Sequence, residues 1–168
     1  NVYVNTNMAA CGGLVAAMIL ASLLYGKVDL TLALNGALAG LVSITAGPDV
    51  ATPLQAILIG AIGGILCTLA IPLLDKLKID DVVGAISVHL VAGIWGTLVV
   101  GIPGLNGSGD FMTQLIGVVV IGVFVTVVSA IVWLVLKAVT GLRPSEEEEM
   151  TGLDVSELGM EAYPEFRN

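Results

Sequence analysis

At 168 residues the chain has the length of one ordinary domain. Its composition excludes a water-soluble one: 57% of residues are hydrophobic and 12% charged, with a mean hydropathy of +1.00, against roughly 25% charged in soluble domains. The formal net charge of −8 leaves no basic footprint for nucleic acid.

Charge is unevenly placed along the chain. Residues 1–140 carry four lysines and six aspartates, without arginine or glutamate, whereas residues 141–168 carry eight acids and two arginines. This predicts a transmembrane helical region over 1–140 and an acidic tail in water over 141–168. The chain opens at Asn1 and is apolar within a few residues. No charged n-region precedes that stretch, so a signal peptide is not expected, and the opening reads as the interior of a longer sequence.

A hydrocarbon core of about 30 Å takes roughly 20 helical residues. The uncharged stretches 1–26, 30–48, 50–74, 82–109 and 111–136 therefore predict five transmembrane helices, near 3–25, 31–47, 53–74, 82–102 and 111–138. Tyr25-Gly26, Gly47-Pro48 and the run Pro103 to Gly107 supply the breaks. Period-two alternation is missing, which argues against a β-barrel. Lys27, Lys76, Lys78, Lys137 and Arg143 all fall in loops on one side of such a bundle, and only Asp49 and Asp110 in loops on the other. The bias of basic residues toward the cytoplasm then puts the tail inside and Asn1 outside, in a multi-pass protein of the cytoplasmic membrane. Glycines recur three or four apart at Gly36 and Gly40, Gly60 and Gly64, Gly93 and Gly96. Such spacing suits close helix packing and equally leaves room for a narrow pathway.

His89 is the single histidine, inside the apolar run AISVHLVAGIWGTLVVGI. An ionisable residue in a membrane segment marks an interior partner or a pathway. Helical spacing places Ala85, His89 and Gly93 on one small-residue face, directing the imidazole toward protein. It is either a neutral ring hydrogen-bonded across helices or a pore or relay group. A metal site would need more ligands than one histidine, and neither metal nor cofactor is called for. Cys11 and Cys67 read as inert apolar side chains. Asp80 and Asp81 precede the fourth helix, where one of them caps its amides. Asn35, Ser43, Thr45, Asn5 and Asn7 read first as polar groups satisfied on backbone, and Trp95 and Trp133 as packing.

Taken together the segments resemble the ammonium transporter family, Amt/Mep/Rh, in its bacterial or archaeal Amt branch. DDVVGAISVHLVAGIWGTLVVGI is similar to that family's histidine-bearing penultimate helix. NTNMAA resembles the start of its seventh helix, NGALAGLVSITAG its eighth, and GLRPSEEEEMTGLDVSELGMEAYPEF its cytoplasmic tail. The resemblance implies an all-α integral membrane protein, the C-terminal part of an eleven-helix fold with its last five helices and tail. It implies transport of ammonium or ammonia for nitrogen uptake, as a homotrimer with a pore in each subunit. His89 matches the second of two paired pore histidines, Ala85 a pore-lining position one turn before it, and Thr45 a threonine near the pore. The first histidine and the outer vestibule belong to helices this chain does not carry, so the N-terminal half is expected in the same or another chain. The family's tail also takes part in regulation by PII signalling proteins. Leu158 stands where the tail motif GLDxxxHG has its histidine.

Two other classes compete. One is an Amt-like ammonium sensor or a nonconducting regulatory or structural subunit. The other, an intramembrane enzyme, lacks HExxH, GxSxG or paired membrane carboxylates, so the chain is not expected to be an enzyme. In the tail, Ser145 caps a helix begun near Pro144, and Met150, Leu153, Leu158, Met160, Tyr163 and Phe166 favour docking over a wholly solvated end. Phosphorylation of Ser145 or Thr151 would loosen such docking.

Overall fold

Runs of apolar residues interrupted by glycine, proline and aspartate fold here as helices throughout. The computed structural model describes residues 1–161 and 163–166. Its elements are α1 (Val2–Tyr25), α2 (Leu30–Ile44), α3 (Pro53–Lys76), a π-helical turn (Ile86–Val91) that runs into α4 (Ala92–Val99), α5 (Phe111–Val139), α6 (Glu146–Thr151), α7 (Leu153–Leu158) and a 3₁₀ turn (Pro164–Phe166). The chain divides into two units, residues 1–122 and 123–168, with the division inside α5.

In the first unit α1, α2 and α3 pack on one another, and the π turn and α4 lie against α2 and α3. Glycine makes this packing possible. The Ala9 carbonyl of α1 lies where a Cβ at Gly40 of α2 or Gly60 of α3 would stand, and the Gly13 backbone meets Gly36 and Gly64 in the same way. Lipid offers little hydrophobic drive for helix association, so backbone-to-backbone approach supplies the dispersion contacts instead. The pairing also fixes direction. Residues 9 and 13 oppose 40 and 36 but accompany 60 and 64, so α2 runs antiparallel to α1 while α3 runs parallel to it.

Local chemistry sets the helix ends. Gly26 takes φ 72° and its N–H donates to the Ser22 carbonyl, closing α1. The Asp29 carboxylate accepts from the Leu32 amide to open α2. Thr52 and Gln55 form a capping box at α3, with Pro53 in its first turn. At the same end of the unit Asn5 Nδ2 donates to the carbonyls of Pro48 (2.7 Å) and Ala51. Gln55 Nε2 reaches the Gly104 carbonyl (2.9 Å) and Asn106 Nδ2 that of Gly47 (3.1 Å).

The expectation of five transmembrane helices is corrected by this structure. Among the described residues only α1, α3 and α5 are long and apolar enough to cross a membrane, with mean hydropathies of 2.0, 2.5 and 3.0 over their most apolar stretches. The predicted spans at 31–47 and 82–102 fold as shorter apolar helices, Leu30–Ile44 and Ile86–Val99. At 15 residues α2 is about 22 Å long, short of a core of about 30 Å. Absence of charge does not by itself make helix. Residues 45–52 fold mainly into turns after α2 and residues 82–84 into a turn before the π segment, while the helical run past Val99 gives way to a turn at 100–105. Such residues count toward hydropathy and not toward helix length.

α5 buries none of its residues. In the second unit Ser145 forms a capping box with Glu148, as its position predicts. The Ser145 amide and hydroxyl both bond the Glu148 carboxylate and hold its pKa below the usual glutamate range. Arg143 pairs with Glu149 at 3.1 Å, but both side chains are exposed and such a pair contributes little. Met150, Leu158, Met160 and Tyr163 are exposed. The Phe166 side chain, the remaining aromatic expected to dock, lies outside the described residues.

Candidate functional site

The segment 80–99 carries the π-helical turn and a glycine of positive φ. Asp81 and Gly84 form a tight turn, with the Gly84 N–H on the Asp81 carbonyl (3.0 Å) and Gly84 at φ 77°, a dihedral glycine adopts without a Cβ penalty. A Cβ there would also press on the Asn35 amide of α2. The Asp81 side chain then turns forward over the next helix. Its Oδ1 accepts the Ile86 amide (3.0 Å), and Oδ2 accepts the Ser87 amide (3.1 Å) and hydroxyl (3.0 Å). Burial pushes this carboxyl up, but the three hydrogen bonds outweigh it and hold its pKa below the ordinary aspartate value. Asp81 is thus the cap of the acidic pair; Asp80 is exposed.

Ser87 and Val88 are buried, and Val88 packs with Ala39, Cys67 and Ala92. Two small residues further along, Gly96 lets α4 close on the Ser43 backbone, and Trp95 Nε1 donates to the Ile59 carbonyl (3.0 Å). These contacts fix one face of the helix on α2 and α3. His89 and Ala85 lie on the other, exposed face. Among the described residues the His89 imidazole makes no hydrogen bond and so no cross-helix tie. Thr45 caps the end of α2 and is exposed, and its hydroxyl donates to the Leu41 carbonyl (2.8 Å). Gly93 neighbours Val42 and Gly96 neighbours Ser43, which sets Thr45 about 10 Å along the helix axis from His89 at 1.5 Å per residue. The structure therefore brings Ala85 and His89 together on adjacent turns, and Thr45 stands apart from them at the end of α2.

Most of the other polar residues close on backbone, but among the described residues the buried Asn35 side chain makes no hydrogen bond, and Asn5 Oδ1 is buried without a partner although its Nδ2 is bonded. Ser43 and Thr68 donate to carbonyls four residues back, and Asn7 to the Tyr3 carbonyl. Among the described residues no group of three potential metal ligands occurs. An apolar groove of about 420 Å³ between α1 and α3, lined by residues such as Val15, Ile19 and Ile57, does not include His89, Ala85 or Thr45. Sequence reasoning missed the π turn and Ser87. The signal available for them was the spacing Asp81-x-x-Gly84-x-x-Ser87, an acid, a turn glycine and a hydroxyl ahead of an apolar run.

Residues 1–163 match the model of the Ammonium Transporter Family. Ammonium transporter Amt2 of Archaeoglobus fulgidus is 39% identical over 180 residues, covering 96% of this chain and 38% of that protein. Ammonium transporter Amt1 of Haloferax mediterranei is 40% identical over 164 residues, covering 96% and 32%. Of solved structures, a Sensor Amt Protein superposes with a TM-score of 0.86 at 37% identity, over 93% of this chain and 41% of that one. Candida albicans Mep2 does so at 0.78 and 28%, over 98% and 42%. The chain thus spans about two fifths of the length of most of these relatives. Their family is one of transporters rather than enzymes. With a family match over nearly all its length and relatives close to 40% identical, the chain belongs to the ammonium transporter family.

Proposed function

We propose that this chain forms one side of an ammonium or ammonia pathway across the cytoplasmic membrane, serving nitrogen uptake, and corresponds to the C-terminal portion of the family fold. His89 is one of two paired pore histidines of the complete protein, with Ala85 and Thr45 on the same wall. The observation that carries this reading is the His89 ring: polar, exposed and unbonded among the described residues, on a helix whose opposite face is anchored through Ser87, Val88 and Trp95. An ionisable ring in a lipid-compatible chain needs a partner or a pathway, and none of the described residues provides a partner. The remaining helices supply the second histidine and close the path. The complete protein assembles as a homotrimer, its tail lies in the cytoplasm, and a PII-type signalling protein acts at that face.

The chemistry follows from hydration. Ammonium entering a narrow apolar path loses most of its water, and surrendering a proton converts it to a small neutral molecule. Neutral imidazole accepts an N–H or relays the proton. Potassium, with no proton to give, gains nothing from this route. Replacing His89 with alanine in the complete protein is expected to abolish or sharply reduce ammonium-driven current in proteoliposomes; unchanged current at equal protein density would defeat the reading.

A second reading is favoured by one comparison, the 37% identity and TM-score of 0.86 to a Sensor Amt Protein. In that case the complete protein binds ammonium and signals through the tail with little flux. Saturable ammonium binding without current distinguishes it from transport.

A further inference from the structure

We propose that Asp81 is a positioning residue for the pathway: by holding the Ile86 and Ser87 amides and the Ser87 hydroxyl on its two carboxylate oxygens, it keeps residues 86–91 in the π-helical register that turns the His89 imidazole out of the bundle. The inference rests on the assignment of His89 to the pathway made above.

A π turn joins each amide to the carbonyl five residues back and is rare, so it persists where its surroundings hold it. Here the holding group is identifiable. The first amides of any helix lack intrahelical partners, and those of Ile86 and Ser87 both end on one side chain, at 3.0 and 3.1 Å. The Ser87 hydroxyl, at 3.0 Å, fixes the second oxygen again. With both oxygens engaged the carboxylate cannot turn without breaking a bond to the helix. It is itself held from behind, because the Gly84 amide bonds the Asp81 carbonyl and the Val88 amide bonds that of Gly84 at 2.7 Å. Ser87 is fully buried and Val88 nearly so, so the turn cannot slide along its neighbours. At the other end α4 is anchored through Trp95 and Gly96. Between these two fixed points the π turn Ile86–Val91 holds one residue more than an α-helix would place over the same length. Relaxation to α-helical spacing would rotate the turn against α4 by up to about 100°, the angle of one residue, and His89 lies in the middle of it.

The test uses the complete membrane-inserted protein labelled with 15N-histidine, the His89 resonance being assigned by its loss in His89→Gln. Asp81→Ala is expected to move that resonance and lower ammonium-driven current about tenfold, the scale of one lost hydrogen bond to a charged group. Ser87→Ala, which keeps both amide bonds, should move the resonance less and in the same direction. Asp80→Asn should change neither. A His89 resonance that stays in place in Asp81→Ala overturns the proposal even if current falls, since the loss is then merely structural. If Asp81→Ala is not recovered folded, Ser87→Ala decides by the same criterion. Should His89→Gln leave the current intact, the pathway assignment fails, while a displaced ring in Asp81→Ala would still establish that Asp81 sets its position.

Discussion

The Ala9 carbonyl shows what single residues decide in this protein. It faces two glycines, Gly40 and Gly60, at a separation that leaves no room for a methyl group on either. Gly60→Ala must therefore push α3 away from α1, and overpacking of this kind costs about 1–3 kcal/mol. Gly117→Ala meets no atom within 4 Å and exchanges a poor helix former for a good one. Thermal unfolding in detergent should show a lower Tm for Gly60→Ala and an equal or slightly higher one for Gly117→Ala; matching values for the two variants would contradict the packing described. The spacing of these glycines was plain in the sequence, but packing and pathway fitted it equally. Only the positions of facing carbonyls separate the two. The side chains of Ser43 and Thr45 were legible because their partners lie four residues back in the same helix. Trp95 reads from sequence as apolar bulk with one donor, whose acceptor, Ile59, is remote in sequence and so not legible there.

Among elements, α1, α3 and α5 could be read from composition because each is a long apolar run with clear ends. The shorter helices could not. Uncharged residues beyond Ile44 and before Ile86 add hydropathy while belonging to turns, and a stretch apolar on nearly all sides gives periodicity no hold on an extra residue in a π turn. The cap of that turn, by contrast, carries a pH signature. Hydrogen bonds from Ile86 and Ser87 depress the Asp81 pKa despite burial, so the folded state binds its proton more weakly than the unfolded chain. A depressed acid adds stability that is present above its unfolded pKa and is lost as pH falls through the folded value. The Tm of the parent should exceed that of Asp81→Asn at neutral pH, and the gap should shrink only below the ordinary aspartate value of about 3.9. Comparing the two proteins cancels the other acids. A gap that instead closes between neutral pH and that value would assign it to another group.

For the molecule as a whole, helix direction matters more than helix length. Residues 9 and 13 of α1 meet 40 and 36 of α2 in reverse order and 60 and 64 of α3 in the same order. The chain thus returns along α2 before α3 repeats the direction of α1, although α2 is short. This arrangement places Lys27 and the Lys76–Asp80 loop at one end of the first unit and Asp49 at the other. A bundle in which α2 lay across the end of α1, with α3 antiparallel to α1, would put Lys27 and Asp49 together and Asp80 opposite. Spin labels on paired-cysteine variants separate the two cases. With Cys11 and Cys67 replaced by alanine in the complete protein, labels at Lys27→Cys and Asp80→Cys should lie near one another, and a label at Asp49→Cys about 25–30 Å from both, roughly one helix length. Pulsed dipolar spectroscopy in lipid reads both separations. A Lys27–Asp49 separation shorter than that between Lys27 and Asp80 would mean that the bundle directions are not those of the protein in its membrane.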